Sequence, residues 1–272
     1  MVEEILYQAL EDTGAEYGQI IVMHPQSGEI LALAITPQLD PNNYEPWLVQ
    51  LGLEEIELEE DPEEQVINPA VGGQYEPGST FKVITMAAAL DAGVVEPDDS
   101  YIDTGMIEVG GVKIRNWNGG AWGPQTMFGC MQHSLNVCLA YVASEKLGAP
   151  MFYDYMASFG IGRATGIDLA GEVGGQLRTP RHPDWTEADL GTNSFGQGVS
   201  VTPVQLLAAA SAIANEGIMI QPHIVRTVVG PDGAYWPNPT VLGQPISAEA
   251  ARTLNAMLAE TLDAEASMAI VN

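Results

Sequence analysis

Positive charge is what this chain lacks most. Its 272 residues hold 9 Lys+Arg against 36 Asp+Glu, a formal charge of −27. Phosphate recognition needs clustered Lys and Arg, so nucleic acid is excluded as a partner. Long hydrophobic runs are missing too. None approaches the roughly 20 residues that cross a bilayer, and residues 1–18 are acidic and mixed, unlike a secretory leader. The four histidines (His24, His133, His182, His223) show no metal-ligand spacing, and no cofactor pattern is present. There are only two cysteines, Cys130 and Cys138. On one continuous helix, eight residues put them about 12 Å apart, too far to bridge. Two free, largely buried thiols are expected, with a bridge possible only if the helix breaks between them.

What is present reads as globular. Hydrophobic residues make up 46% and charged residues 17%, enough to bury a core and too apolar for disorder. Residues 2–14 pattern as a short helix ending near Gly14. Gly18–Met23 and Glu29–Ile35, joined by His24-Pro25-Gln26-Ser27-Gly28, predict a β-hairpin. From Thr36 to Gln74 regular structure is weak, with a turn-like Asp40-Pro41-Asn42-Asn43. Glu54 to Glu64 carries eight acidic residues in eleven positions. That run reads as a solvated segment, with a cation site as the minor reading. Further on, Ile107 to Ile114 predicts a hairpin turning at Gly110-Gly111. Residues 126–147 are helical in character but interrupted around Ser134-Leu135-Asn136, and Gly148-Ala149-Pro150 is a stop signal before another helix at Met151–Phe159. Residues 160–200 read as loop-rich. Thr202-Pro203 opens a helix as N-cap and first-turn proline, residues 218–229 read as extended, and Ser247 caps a last helix.

The chemistry concentrates at Gln74-Tyr75-Glu76-Pro77-Gly78-Ser79-Thr80-Phe81-Lys82, which runs into good helix formers up to Gly93. Ser79 sits at or beside a helix start. Lys82, at i+3, shares its face, so hydroxyl and amine can meet. A serine needs a base to become a nucleophile, and burial lowers a lysine's pKa enough to provide one. The alternative is a plain N-cap serine and a solvated lysine; composition alone yields about 0.1 Ser-x-x-Lys matches in a chain like this. Ser134-Leu135-Asn136 supplies a second hydroxyl and an amide, or else is a helix-capping pair. Asn116-Trp117-Asn118-Gly119-Gly120-Ala121-Trp122-Gly123 is a glycine-rich loop that either packs or lines a cleft.

Together, Ser79-Thr80-Phe81-Lys82 and Ser134-Leu135-Asn136 resemble the paired motifs of penicillin-interacting serine enzymes. Gly28-Glu29-Ile30-Leu31-Ala32, Phe159-Gly160-Ile161-Gly162, Gly166-Ile167-Asp168-Leu169 and Gly196-Gln197-Gly198 before Thr202-Pro203 extend the likeness to class B penicillin-binding proteins, over about residues 15 to 265. The resemblance implies an α/β (α+β) transpeptidase or serine β-lactamase-like fold, an antiparallel sheet flanked by helices. It implies a linker or first helix at 1–14 and a transpeptidase domain at 15–272.

It also implies roles. Ser79 is the nucleophile toward a D-Ala-D-Ala stem peptide and Lys82 its base. Ser134 relays a proton, and Asn136 positions Lys82 and the substrate amide. The Ser79 N–H is half of the oxyanion hole. Peptidoglycan stem peptides are then the substrates, β-lactams the inhibitors, and elongation or division proteins the partners, at the extracytoplasmic face of the bacterial inner membrane. No cofactor is implied. The family's third motif, Lys-Thr-Gly, is not among these residues: the three lysines are Lys82, Lys113 and Lys146. The expectation is therefore a transpeptidase domain that stops short of that motif and its following strands, with the membrane anchor belonging to a full-length parent. A serine β-lactamase and a non-catalytic β-lactam sensor or division scaffold are the competing readings.

Overall fold

The computed structural model describes residues 1–38, 68–236 and 238–261. Helix α1 (Val2–Thr13) ends where Gly14 turns left-handed at φ 69°, a conformation that favours glycine. Strands β1 (Gly18–Met23) and β2 (Ile30–Thr36) pair antiparallel, with Gly18 opposite Thr36 and Met23 opposite Ile30. This is the expected hairpin. At its tip Gly28 has φ 79°, and a Cβ there would lie 2.2 Å from the Gln221 carbonyl oxygen. Only glycine lets the tip close on segment 221–223, where Gly28 O accepts from His223 N at 2.9 Å and Ile30 N donates to His223 O at 2.8 Å.

A short helix α2 (Pro69–Gly72) is capped by Asn68. The Pro77-Gly78 turn then leads through a 3₁₀ turn (Gly78–Phe81) into α3 (Lys82–Asp91). Helix α3 is apolar nearly all round, the pattern of a helix inside a core rather than on its surface. Ile84 and Met86 through Ala89 are buried, and they pack with Leu139, Phe152, Met156, Ile213 and Leu254 from later helices.

After α3 come β3 (Ser100–Asp103), β4 (Met106–Val109), β5 (Val112–Arg115) and β6 (Gly123–Thr126). Strand β3 pairs with β6, and β4 with β5 across the expected Gly110-Gly111 turn. Helices α4 (Met127–Gln132) and α5 (Asn136–Tyr141) follow, then one π turn (Val142–Leu147) and α6 (Gly148–Ser158). The stop expected at Gly148-Ala149-Pro150 is present: Gly148 leaves helical geometry at φ 71°, ψ 161°, and the next helix starts at once. Pro150 falls in the first turn of α6, where its missing N–H leaves no gap in the ladder.

Segment 160–200 is loop-rich, as expected, and holds the short β7 (Gln176–Leu177), helix α7 (Glu187–Asn193) and β8 (Val199–Ser200). The signal for α7 was in the sequence: Thr186 and Asp189 form a reciprocal capping box. Helix α8 (Pro203–Ala214) starts as expected, the Thr202 hydroxyl accepting from Gln205 N at 3.1 Å. Strand β9 (Met219–Ile220) pairs with β12 (Val241–Gly243), and β10 (Val228–Gly230) with β11 (Gly233–Tyr235). Ser247 caps α9 (Ala248–Thr261) by accepting from Ala250 N at 3.2 Å. The fold is thus the expected mixture of helices and antiparallel strands; among the described residues the strands come as two-stranded ladders around the helical core. The acidic run 54–64 and the turn at 40–43 lie outside the described residues. No described helix is long and apolar enough to cross a membrane.

The cysteines correct the sequence reading. Cys130 and Cys138 are bonded to each other, with Cα atoms 6.0 Å apart. The 12 Å separation assumed one continuous helix. The chain instead breaks between α4 and α5, with Ser134 left-handed at φ 51°, and the break folds one cysteine back toward the other. Both remain fully buried, as expected.

Candidate active site

Backbone contacts from a distant segment hold the segment around Ser79 in place. Tyr75 and Val201 exchange N–H···O bonds of 3.1 and 3.0 Å, and Gly78 N donates to Gly196 O at 3.0 Å. Glu76 Oε1 accepts from Gly198 N at 2.7 Å. Gly196 has φ 79°, and a Cβ on it would meet Gly78 O at 2.3 Å. The Gly196-Gln197-Gly198 run, noticed in the sequence, is therefore the backing of the Ser79 turn. Thr85, buried in α3, ties the same segment by donating to Ser194 O at 2.8 Å. Within this frame the chain passes in four residues from exposed Ser79 to buried Phe81 and Lys82.

Lys82 is only 2% exposed. Its Nζ lies 3.1 Å from Ser79 Oγ, 2.9 Å from Ser134 Oγ and 2.6 Å from Ser134 O. Among the described residues these partners are neutral oxygens, not carboxylates. Burial without a counter-charge disfavours the ammonium form, and the lysine's pKa falls from its ordinary 10.5 to about 7. A neutral amine has two N–H donors and one lone pair. With its two N–H groups on Ser134 O and Oγ, such an amine can turn its lone pair to the Ser79 hydroxyl. Near neutral pH the geometry therefore matches a base poised on a nucleophile.

The break between α4 and α5 puts Ser134 where Lys82 can reach it. Ser134 N donates to Met131 O at 3.1 Å and Leu135 N to Cys130 O at 2.9 Å, while buried Leu135 pins the loop to the core. Ser134 carries a non-glycine left-handed backbone, a state that persists only when its surroundings over-determine it. Asn136 differs from expectation in one respect. Its Nδ2 donates to Arg115 O at 3.2 Å, and Lys82 is held by Ser134 instead. The reason is the fold itself: the turn at Ser134 aims that residue's own carbonyl at Nζ. The two tryptophans of the glycine-rich loop divide the readings left open for them. Trp122 packs, stacking on His133 with ring centroids 4.1 Å apart. Trp117 donates its Nε1–H to His133 O at 3.3 Å and stays 66% exposed beside the Ser134 loop. Burial lowers the His133 pKa.

Sequence reasoning passed over Asp103 and singled out Asn116 only as part of a loop. Both are buried behind the Ser134 turn and bonded to each other at 2.8 Å. A lone Asp at a strand end carries no sequence signal; the Asn opening a Gly/Trp loop was the one available hint.

A serine before a buried helix, a buried lysine of lowered pKa one turn on, and a second serine from a facing loop define a serine–lysine site on an α+β frame. The chain matches the model of the penicillin binding protein transpeptidase domain over residues 18–269, and it belongs to that family. It is 38% identical over 235 residues to stage V sporulation protein D of Bacillus subtilis, covering 85% of this chain and 34% of that protein. To the penicillin-binding protein PbpB of Mycobacterium tuberculosis it is 31% identical over 260 residues, covering 94% and 36%. To the peptidoglycan D,D-transpeptidase MrdA of Acinetobacter baumannii it is 29% identical over 231 residues, covering 82% and 34%. A crystal structure of penicillin binding protein 3 from Mycobacterium tuberculosis, complexed with aztreonam, superposes with a TM-score of 0.79 at 30% identity, covering 94% of this chain and 54% of that one. The chain thus spans about a third of the length of these curated relatives.

Proposed function

We propose that this chain acts in peptidoglycan cross-linking as a serine D,D-transpeptidase and that β-lactams acylate the same serine. The observation that carries the reading is Lys82: a buried amine with its pKa near 7, 3.1 Å from one serine hydroxyl and 2.9 Å from another. The Ser79 Oγ attacks the carbonyl of the penultimate D-Ala while its proton passes to Lys82 Nζ. The tetrahedral oxyanion is received by the Ser79 N–H at the start of the helix, where fixed donors lower the barrier most. Collapse breaks the C–N bond. The proton moves through Ser134 Oγ to the departing amine, and terminal D-Ala leaves. An amine of a neighbouring strand then attacks the ester, restoring Ser79 and forming the cross-link. Asn136, half-buried at the start of α5, offers its amide to the substrate backbone. A β-lactam enters the first half by the same attack, opening its ring and remaining on Ser79. Names among the relatives support both halves: MrdA is called a peptidoglycan D,D-transpeptidase, and the Mycobacterium tuberculosis structure holds aztreonam. An extracytoplasmic place of action, alongside cell-wall elongation or division proteins, belongs to the same proposal.

Intact-mass measurement after incubation with benzylpenicillin tests the reading. The expected result is a stable adduct of one whole penicillin on Ser79, absent from Ser79→Ala. A wild-type protein without an adduct would overturn it. Rapid turnover of a chromogenic cephalosporin would make the site a β-lactamase instead.

A further inference from the structure

Asp103 ends β3 and is 1% exposed. One of its oxygens, Oδ2, accepts from Asn116 Nδ2 at 2.8 Å and from Trp122 N at 2.8 Å. A single carboxylate oxygen therefore ties together the two ends of the segment 116–122. Its other oxygen is buried without a partner, and among the described residues no cation pairs with it. Burying an acid this way costs stability, so its contribution has to be sought in what it holds.

It holds Asn116, which is 4% exposed. Asn116 also donates to Gly120 O at 3.1 Å, and its Oδ1 accepts from Val137 N at 3.2 Å. Val137 N–H belongs to the first turn of α5, where no carbonyl within the helix is available to it. The residue at the N-cap position, Leu135, has no side-chain acceptor to offer. Asn116 thus caps α5 from another part of the chain. The neighbouring contacts act in the same direction. Arg115 O receives the Asn136 amide, Trp117 donates to His133 O, and Trp122 stacks on the His133 ring. Segment 115–122 grips the loop on both sides of Ser134, and Asp103 closes the grip.

We infer that Asp103 is a positioning residue for the acylation site: acting through Asn116, it fixes the start of α5 and so sets Ser134 and Asn136 against Lys82. This rests on the roles proposed above for Ser134 and Lys82. Asp103 itself touches none of the reacting groups. A displacement of about 1 Å at a reacting group costs about 10²-fold in rate, and loosening the cap would allow a shift of that order.

The test compares wild type, Asp103→Ala and Asp103→Asn in acylation by a fluorescent penicillin, with hydrogen exchange of the 135–139 amides measured on the folded proteins. Asp103→Ala is expected to lower the limiting acylation rate constant by about 10²-fold, while the half-saturating penicillin concentration stays within about 3-fold. A role confined to stability would not produce that split. Asp103→Asn keeps an acceptor oxygen and is expected to recover most of the rate. The Val137 amide should lose protection in the Ala variant and keep it in the Asn variant. An Asp103→Ala protein with the wild-type rate constant, or one whose loss merely tracks its unfolded fraction, would overturn the inference. If Asp103→Ala does not fold, Asn116→Ala removes the same cap and is held to the same outcomes. If wild type itself forms no adduct, the functional reading fails. The exchange data still decide the inference about position, because unchanged protection at Val137 overturns it and lost protection upholds it.

Discussion

Lys82 loses nearly all its hydration when α3 packs, and neutral oxygens take the place of water. The sign of the pH effect follows. With a folded pKa near 7 and an ordinary value of 10.5, the unfolded chain binds more protons between those limits. The lysine's contribution to stability therefore rises with pH across that window, and below about pH 7 its burial penalty is fully present. The acylation rate follows the neutral amine: it should climb through about pH 7 and level off above, as read by penicillin labelling. Lys82→Arg should lower that rate by about 10²–10⁴-fold, because a guanidinium stays protonated and cannot act as base. A flat profile from pH 6 to 9, the range set by that lysine pKa, would remove Lys82 from the role. Gly196 is the second residue with a clear consequence. Gly196→Ala would strain a left-handed position and drive a Cβ into the Gly78 carbonyl. About 2–4 kcal/mol of stability should be lost in urea titration, with the Ser79 turn displaced.

Among the elements, the α4–α5 pair depends on its disulfide. Cys130 and Cys138 close a loop of about nine residues around Ser134, which constrains the unfolded chain by about 2–3 kcal/mol in the loop-entropy account. Cys130→Ala with Cys138→Ala should lower urea stability by that order. The labelling rate should fall further than stability does, since the loop carrying Ser134 is the part released. A rate that falls only with the folded fraction would show the disulfide to be a staple and nothing more. The last helix is tied by a carboxylate. Asp91, at the end of α3, accepts from Tyr155 Oη at 2.7 Å and from Ser247 N at 2.7 Å. Burial and this acid together raise the Tyr155 pKa, so its proton stays available to donate. Asp91→Ala leaves two donors without acceptors and should cost about 1–3 kcal/mol, with hydrogen exchange rising first in α9.

For the whole molecule the dominant fact is a charge of −27. Like charges repel in the compact state, and salt screens them with a Debye length of about 10 Å at 0.1 M. The thermal midpoint should therefore rise as NaCl is increased from about 0.05 to about 0.5 M. A midpoint that falls would mean that favourable ion pairs outweigh the repulsion. Arg252–Glu216 is mostly exposed, where such a pair contributes little, while Arg226–Glu29 and Arg178–Asp189 each set an exposed arginine against a partly buried acid and are the pairs that added salt would weaken.

Local patterns were legible in the sequence because local physics decides them. The Gly110-Gly111 turn, the caps at Thr202 and Ser247, the helix after Pro77-Gly78 and the i, i+3 meeting of Ser79 with Lys82 all follow from residues a few positions apart. The break at Ser134 was legible as well, but its consequence was not. Whether Cys130 meets Cys138 depends on how sharply the chain turns there, and contacts from segment 115–122 and from buried Leu135 fix that turn. The same holds for the chemistry. The sequence placed a lysine beside a serine. Only tertiary packing removed its water, surrounded it, among the described residues, with neutral oxygens and brought Ser134 across from 52 residues away. A pKa is set by everything around a group, and most of what surrounds Lys82 is distant from it along the chain.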